Sequence, residues 1–315
     1  MKYAMIFPGQ GAQRPGMGKD IYDRYASAKR VFDEADDALG FSLSSIIFGG
    51  TPEELALTEI TQPAILTVSV AMYRALEQEI GTALEPECMA GHSLGEYTAL
   101  VASGSISLAD GVRLVHKRGA LMQEAVPIGM GSMAAIIGLE LSDVSAICAE
   151  AAQGEVCQAA NINSPTQIVI SGHTGAINRA MALVEQKYTA KIVPLRVSAP
   201  FHCALMRPVA EELKEAFKSV EWHVPKMPII ANANARHVQK IPAIREALYD
   251  QTFSPVMWSQ SVLEMQNDGI EGYIELGPGS VLSGLIRKIC KGRRPYAVSN
   301  SDELLAAAKY LKEEA

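Results

Sequence analysis

A Gly-x-Ser-x-Gly pattern at residues 91–95 constrains the fold of this chain more than any other feature. The pattern is typical of a sharp strand-to-helix turn that lifts a serine hydroxyl, here that of Ser93, clear of a sheet edge. Gly91 and Gly95 suit such a turn, because neighbouring backbones approach so closely there that a β-carbon would collide. Residues 96–103 are good helix formers followed by a glycine, so we expect the required helix. The pattern also arises by chance, and these residues alone leave catalysis and coincidence both open.

Bulk properties exclude several classes of protein. The 315 residues are 48% hydrophobic and 20% charged, which is ordinary for a soluble globular protein and excludes a disordered chain. No apolar run approaches the roughly 18 residues of a membrane span, and the N-terminus shows no signal peptide. We therefore expect a cytoplasmic protein. A formal charge of −7 argues against nucleic-acid binding.

The cysteines do not predict a metal site or a disulfide framework. There are five of them, widely spaced, and none forms Cys-x-x-Cys. They are therefore interpreted as reduced residues of the core or near a site. We expect no metal and no cofactor.

The first predicted strand, residues 3–7, leads into a loop that contains Gly9 and Gly11. Glycines in such a loop let backbone amides turn toward a ligand. A phosphate-binding loop fits poorly, because Arg14 stands where a dinucleotide fingerprint needs glycine and no Gly-Lys-Ser/Thr follows. Two interpretations stay open, which are a structural turn and an oxyanion donor opposite the serine.

The segment from Thr61 to about Ile80 predicts a long buried helix, opened by Thr61-Gln62-Pro63. Gln62 either faces a site or lies in the turn that starts this helix. We interpret it as a turn residue.

Arg118 is the most informative anomaly in the chain. It falls in the middle of an apolar face of the helix predicted over residues 107–124, while His116 and Lys117 point away from that face. A guanidinium stays charged at any accessible pH and is costly to bury alone, so an anion should meet it. The anion is either an Asp or Glu elsewhere in the fold or a ligand carboxylate, which Arg geometry suits well.

Residues 128–197 predict a separate small unit with the order β-α-β-β-α-β, which is that of a ferredoxin-like subdomain. Strands are expected at residues 133–138, 156–161, 167–171 and 191–197, and helices at residues 142–152 and 176–188. The unit interrupts a core formed by residues 1–127 and 198–315. The junction should form a cleft, which is a common ligand site.

The returning core segment carries His202, which opens a predicted helix at the cleft and is either a structural histidine or a general base. The other five histidines have less suitable settings, and His92 should point off the serine turn. The last third of the chain returns to alternating strand and loop, over residues 227–232, 251–256 and 273–279. A basic cluster near the end is either a solvated surface or a docking surface for an acidic partner; it comprises Arg287, Lys288, Lys291, Arg293 and Arg294.

Several of these motifs together resemble the malonyl-CoA:acyl carrier protein transacylases, over residues 3 to about 290. The similarity rests on Phe7-Pro8-Gly9-Gln10-Gly11, Gly91-His92-Ser93-Leu94-Gly95-Glu96, Arg118-Gly119, Phe201-His202 and Gly277-Pro278-Gly279. Separate motifs in the right order make it more specific than any one of them. The resemblance implies an α/β fold with an α/β-hydrolase-like core and an inserted ferredoxin-like small subdomain.

The resemblance also implies roles for individual residues. Ser93 resembles the acylated nucleophile and His202 its general base, while the main-chain carbonyl of Gln251 matches the group that orients the histidine. Arg118 is similar to the arginine that binds the malonyl carboxylate. The remaining matches are the oxyanion-hole amides of Gln10 and Leu94, the pocket residue Asn161, and Phe201, which is associated with malonyl rather than methylmalonyl selection.

The implied function is transfer of malonyl from malonyl-CoA to the phosphopantetheine thiol of acyl carrier protein, through a malonyl-serine intermediate, for fatty acid synthesis. Three alternatives are a discrete acyltransferase of a polyketide synthase, a serine esterase or thioesterase, and a non-catalytic module that binds carrier protein. The expected partners are malonyl-CoA and acyl carrier protein, with neither nucleic acid nor membrane, and we expect a monomer.

Overall fold

The computed structural model describes residues 2–195, 197 and 199–314 and arranges the chain around two β-sheets. The strands within this part are β1 (Tyr3–Phe7), β2 (Cys88–Gly91), β3 (Gly131–Ile137), β4 (Cys157–Ser164), β5 (Gln167–His173), β6 (Lys191–Pro194), β7 (Ile229–Ile230), β8 (His237–Val238), β9 (Gly272–Leu276) and β10 (Tyr296–Val298).

Helices cover both sheets. In chain order they are α1 (Lys19–Arg24), α2 (Ala26–Leu39), α3 (Leu43–Gly49), α4 (Pro52–Ala56), α5 (Thr58–Ile80), α6 (Leu94–Ala102), α7 (Leu108–Glu124), α8 (Leu141–Ala152), α9 (Thr174–Lys187), α10 (Arg207–Ala216), α11 (Ile241–Phe253), α12 (Trp258–Asn267), α13 (Val281–Ile289) and α14 (Ser301–Glu314). In the described ranges, no helix is both long and apolar enough to cross a bilayer.

The first sheet has the order β10-β9-β1-β2-β7-β8, and all of its pairs are parallel except β7 with β8. Strand β1 lies near the middle and is buried on both faces. Met5 and Phe7 join the large core on one side, whereas Ala4 and Ile6 join the smaller core on the other. This alternation follows from the two-residue period of a strand, and burial on both faces explains why the strand is almost wholly apolar.

The second sheet is antiparallel, with the order β4-β5-β3-β6, and has a core of its own. Its elements occur in the predicted order, and each lies within a few residues of its predicted position. The described part of β6 ends at Pro194, earlier than the predicted strand end at Val197. Arg196 and Ser198, on which that strand and the predicted start of the returning core segment fall, lie outside the described residues.

The predicted start of α5 was wrong, since the helix begins at Thr58 and contains Pro63. A proline inside a helix leaves the carbonyl four residues earlier without its partner, here that of Glu59. Helix α7 compensates, because His116 Nδ1 donates to the Glu59 carbonyl oxygen at 2.8 Å. Residues 251–253, predicted within a strand-and-loop region, form the last turn of α11 instead.

The same end of α5 packs closely on Gly119 of α7. A β-carbon on Gly119 would lie 2.5 Å from the carbonyl oxygen of Thr58 and 2.6 Å from Cα of Glu59. Both neighbours are backbone atoms, which cannot move aside cheaply. Glycine at position 119 therefore permits the helix contact that fixes the neighbouring residue, Arg118.

We predict that Gly119→Ala lowers the free energy of unfolding by about 1–3 kcal/mol, the usual cost of overpacking, as measured by urea denaturation. Gly284→Ala in α13 is the matched control, since its β-carbon would meet nothing within 4 Å. That change should leave stability equal or higher, because alanine favours helix over glycine. Equal effects of the two substitutions would contradict the close-packing argument.

Candidate active site

Ser93 lies in the turn between β2 and α6, at the carboxyl end of the first sheet, and its backbone is strained (φ 54°, ψ −106°). The two glycines of the motif allow this turn. A β-carbon on Gly91 would overlap the carbonyl of Gly95, and one on Gly95 would overlap the Phe7 carbonyl oxygen. The steric argument made from the sequence is confirmed.

The structure brings Ser93 and His202 together, although they are far apart in the chain. Ser93 Oγ lies 2.7 Å from His202 Nε2, and His202 Nδ1 lies 2.8 Å from the carbonyl oxygen of Gln251. A carbonyl oxygen only accepts hydrogen bonds, so Nδ1 carries the hydrogen and Nε2 presents its lone pair to the serine hydroxyl. His202 can therefore act as a base toward Ser93.

The electrostatic surroundings keep His202 neutral. Its side chain is 4% exposed, and burial together with the Arg118 charge lowers its pKa to about 3. Its partner at Nδ1 is a main-chain carbonyl rather than a carboxylate. The pair thus lacks the acid of a three-residue triad.

Arg118 is buried beside this pair, with 1% of its surface exposed. Its Nη2 donates to Ser93 Oγ at 3.0 Å and to Gln251 Oε1 at 2.9 Å, and its Nη1 donates to Gln62 Oε1 at 2.9 Å. Among the described residues, no Asp or Glu forms an ion pair with Arg118. A direct structural ion pair, one of the two interpretations left open by the sequence, is therefore wrong.

Gln62 faces the site, which corrects its interpretation as a turn residue. It is 2% exposed, its Nε2 donates to the Met122 sulfur at 3.8 Å and its Oε1 accepts from Arg118. The proline that follows it suggested a helix start and concealed its position inside α5.

The loop after β1 packs directly on the serine turn. The amide of His92 donates to the Phe7 carbonyl oxygen at 3.0 Å, and a β-carbon on Gly9 would lie 2.6 Å from the His92 carbonyl oxygen. Gln10 follows in this loop, and Leu94 occupies the first position of α6, where helix amides have no acceptor within the helix. The two amides predicted for an oxyanion hole thus come from segments in mutual contact.

A cavity of about 380 Å³ opens onto Ser93, His202 and Arg118. Its lining includes Gln10 from the loop after β1 and, from the second sheet, Met133 of β3 and Asn161 of β4. Phe201, next to His202, forms part of its wall. All of the predicted site residues except Leu94 and Gln251 line the cavity, and Gln251 contacts three of those that do.

Comparison with known proteins agrees with this geometry. The model of the acyl transferase domain family matches residues 4–305. The malonyl CoA-acyl carrier protein transacylase of Bacillus subtilis is 43% identical over 314 residues, which is 99% of this chain and 98% of the relative. The chain belongs to the malonyl CoA-acyl carrier protein transacylase family.

Solved structures of this transacylase family have the same fold. An acyl carrier protein S-malonyltransferase from Vibrio cholerae superposes with a TM-score of 0.94 at 44% identity, covering 98% of this chain and all of the other. A malonyl-transacylase in complex with its type II polyketide synthase acyl-carrier protein superposes with a TM-score of 0.95 at 41% identity, with the same coverage.

Sequence analysis missed two buried residues that hold the serine turn in this transacylase-family chain. Asn232 Oδ1 accepts from the Ser93 amide at 2.7 Å, and its Nδ2 donates to the Gly91 carbonyl oxygen at 2.7 Å. Glu96 Oε2 accepts a hydrogen bond from the main-chain N–H of Asn232 at 2.9 Å. The available signal was a polar residue two positions after the apolar strand β7, at the same sheet edge as the serine.

His92 lies against the second sheet. Its Nε2 lies 2.8 Å from Asn163 Oδ1, and its ring centroid is 5.9 Å from that of Trp258. Burial lowers its pKa. The residue therefore connects the serine turn to β4, and it also lines the cavity.

The described residues contain no group of three or more His, Cys, Asp or Glu side chains that could hold a metal ion. All five cysteines are buried free thiols.

We predict that Asn232→Ala lowers both stability and the reactivity of Ser93. The change leaves the Ser93 amide and the Gly91 carbonyl without buried partners, which costs about 1–3 kcal/mol for each group. Chemical denaturation would measure the loss, and rapid-quench acylation should slow by about tenfold or more as the turn shifts. Asn234→Ala, at an exposed position two residues on, removes one surface hydrogen bond, from the Arg236 amide at 3.0 Å, and should leave the acylation rate unchanged. An unaltered acylation rate in Asn232→Ala would refute this role.

Proposed function

We propose that this protein transfers a malonyl group from malonyl-CoA to the phosphopantetheine thiol of acyl carrier protein, through a malonyl-Ser93 intermediate, and so supplies fatty acid synthesis. One observation carries the proposal. A serine held 2.7 Å from a neutral histidine also lies 3.0 Å from a buried guanidinium that has no carboxylate partner among the described residues. The names of the curated relatives support the same activity.

The proposed reaction proceeds in two steps. His202 Nε2 takes the hydroxyl proton of Ser93 as Oγ attacks the thioester carbon, and the CoA thiolate leaves with that proton. The carrier thiol then loses its proton to His202 and attacks the carbonyl carbon of the malonyl ester. The ester bond to Ser93 breaks, and His202 returns the proton to Ser93 Oγ. The Gln251 carbonyl holds the histidine in the required tautomer throughout.

Two backbone amides would stabilise the tetrahedral intermediate. Leu94 supplies one at the start of α6, where the helix dipole favours negative charge, and Gln10 supplies the other from the opposing loop. The Ser93 amide is occupied, because it donates to Asn232.

Arg118 would bind the free carboxylate of the malonyl group through paired hydrogen bonds. Its Nε is buried without a partner, so the guanidinium has donor capacity to spare. An acetyl group would leave that charge without an anion. Phe201 and Asn161 would bound the space beside the acyl group, since both line the cavity.

For the architecture, we propose an α/β-hydrolase-like core of residues 1–127 and 198–315 with a ferredoxin-like small subdomain of residues 128–197. The mainly parallel first sheet and the antiparallel order β4-β5-β3-β6 support this division. The cavity is lined by residues of both proposed units, as expected of a cleft between them.

The proposed partners are malonyl-CoA and acyl carrier protein, for a cytoplasmic monomer that contacts neither nucleic acid nor membrane. A polyketide synthase carrier is the alternative acceptor, because a structural relative occurs in complex with one. The basic cluster of residues 287–294 lies where α13 meets the second sheet, and there Lys288 Nζ donates to Gln167 Oε1 at 3.0 Å. An esterase or thioesterase is disfavoured by the buried cation beside Ser93.

We predict that intact-protein mass spectrometry after brief mixing with malonyl-CoA, without acceptor, detects a malonyl adduct on the wild type and none on Ser93→Ala. A phosphopantetheine thiol should discharge the adduct. Accumulation of free malonate without an adduct would instead indicate a hydrolase. Absence of both adduct and malonate would refute malonyl-CoA as the donor.

We predict that Arg118→Ala loses preference for malonyl over acetyl donors far more than it loses the ability to acylate Ser93. The lost discrimination should be about 2–5 kcal/mol, comparable with breaking a buried pair. Acylation rates with malonyl-CoA and acetyl-CoA would measure it. Lys117→Ala, at the exposed neighbouring position, is the control and should keep the preference. Equal losses for the two donors in Arg118→Ala would rule out this assignment.

A further inference from the structure

Glu96 is a buried carboxylate that the proposed reaction does not use. It lies in the first turn of α6 and is 1% exposed. Its Oε2 accepts hydrogen bonds from the Asn232 amide at 2.9 Å and from Gln251 Nε2 at 2.8 Å. No Lys, Arg or His of the described residues forms an ion pair with it. A buried charge without a direct partner is costly and calls for an explanation.

The side chain of Gln251 connects this carboxylate to Arg118. Its Nε2 lies 2.9 Å from the Ser93 carbonyl oxygen, which only accepts hydrogen bonds, and 2.8 Å from Oε2 of Glu96. The amide nitrogen must therefore point toward Glu96, and the amide oxygen points the other way, to Arg118 Nη2 at 2.9 Å. The carboxamide dipole is thus aligned between an anion and a cation, which strengthens both hydrogen bonds.

The charges at the two ends of this bridge interact. Burial lowers the pKa of Arg118, whereas Tyr97 and Glu96 raise it, and Arg118 is in turn one of the groups that lower the pKa of Glu96. The direct acceptors of the guanidinium, by contrast, are the neutral groups of Gln62, Gln251 and Ser93. A donor carboxylate that binds Arg118 would share that cation with Glu96.

We propose that Glu96 is a positioning residue that acts through the Gln251 carboxamide as the remote counter-charge of Arg118, and so sets how strongly the pocket prefers an anionic acyl group over a neutral one. The inference rests on the proposed function. Ionised Glu96 repels the carboxylate of a donor bound to Arg118. Protonated Glu96 is neutral, so the donor carboxylate then binds Arg118 without that repulsion. Protonation on Oε1 preserves both hydrogen bonds to Oε2, so the charge changes while the geometry stays.

Burial raises the pKa of Glu96 to about 7, against the opposing effect of its hydrogen bonds and of Arg118. Two other titratable groups near the bridge, His202 and Tyr97, keep their charge between pH 6 and 8. Burial lowers the pKa of His202 to about 3 and also lowers that of His92, and it raises the pKa of Tyr97 to about 12. Arg118 remains protonated. A change of donor preference in this interval that Glu96→Gln abolishes therefore belongs to Glu96.

The sign follows from the two charge states. As pH rises from 6 to 8, Glu96 ionises and the ratio of malonyl to acetyl acylation rates should fall, by about fivefold if a bound malonyl group raises the pKa of Glu96 by one unit. In Glu96→Gln, whose amide oxygen can accept the same two hydrogen bonds, the ratio should stay at its low-pH value. Glu124→Gln, at an exposed position of α7, is the control and should retain the wild-type slope.

The experiment measures single-turnover acylation of Ser93 by malonyl-CoA and acetyl-CoA across pH 6–8 in these three proteins. A flat ratio in the wild type, or a wild-type slope in Glu96→Gln, would overturn the inference while leaving malonyl transfer intact. Absence of any malonyl adduct in the wild type would instead overturn the proposed function and this inference with it.

A second measurement needs no variant, in case Glu96→Gln does not fold. At pH 7 in weak buffer, acylation of the wild type by malonyl-CoA should take up more protons than acylation by acetyl-CoA, because the added carboxylate raises the pKa of Glu96. Both donors release the same CoA thiol, so its ionisation cancels in the difference. Equal proton uptake with the two donors would overturn the inference.

Discussion

The buried charge of Arg118 is the constraint on which the rest of the site depends. A guanidinium stays protonated when it is buried, so the surrounding fold must supply hydrogen-bond acceptors for it. Three elements do so, which are Gln62 on α5, Gln251 on α11 and the Ser93 turn. Two of them, Gln251 and the Ser93 turn, also define the position of the reactive pair. The contacts that solvate the Arg118 cation therefore also help to align the serine with the histidine.

Gln251 alone contributes both to solvating Arg118 and to orienting His202. Its main-chain carbonyl fixes the tautomer of His202, while its side chain touches Arg118, Glu96 and the carbonyl of Ser93. The carbonyl takes the place that a carboxylate has in a three-residue triad. No negative charge is then introduced next to the histidine, which is consistent with its low pKa and its neutral form.

Features set by local sterics were predictable from the sequence. The serine turn followed from the spacing of Gly91 and Gly95, and the burial of Arg118 followed from helical periodicity. Gln62 was misassigned because its environment depends on distant residues. A proline after a threonine predicts a helix start, yet here α5 continues through Pro63, since His116 on another helix satisfies the carbonyl that the proline leaves unpaired. The role of Asn232 was not predicted for the same reason, since its hydrogen-bond partners lie about 140 residues away in sequence.

The placement of β1 has a consequence for the order in which the protein forms during synthesis. This strand carries the loop with Gln10, and it pairs with β2 on one side and with β9, near residue 274, on the other. A nascent chain emerges N-terminus first, so β2 is available early, but β1 lacks its second neighbour, β9, until most of the sequence has left the ribosome. Until then one edge of this apolar strand is unpaired, and the loop that carries Gln10 extends from a strand held on one side only.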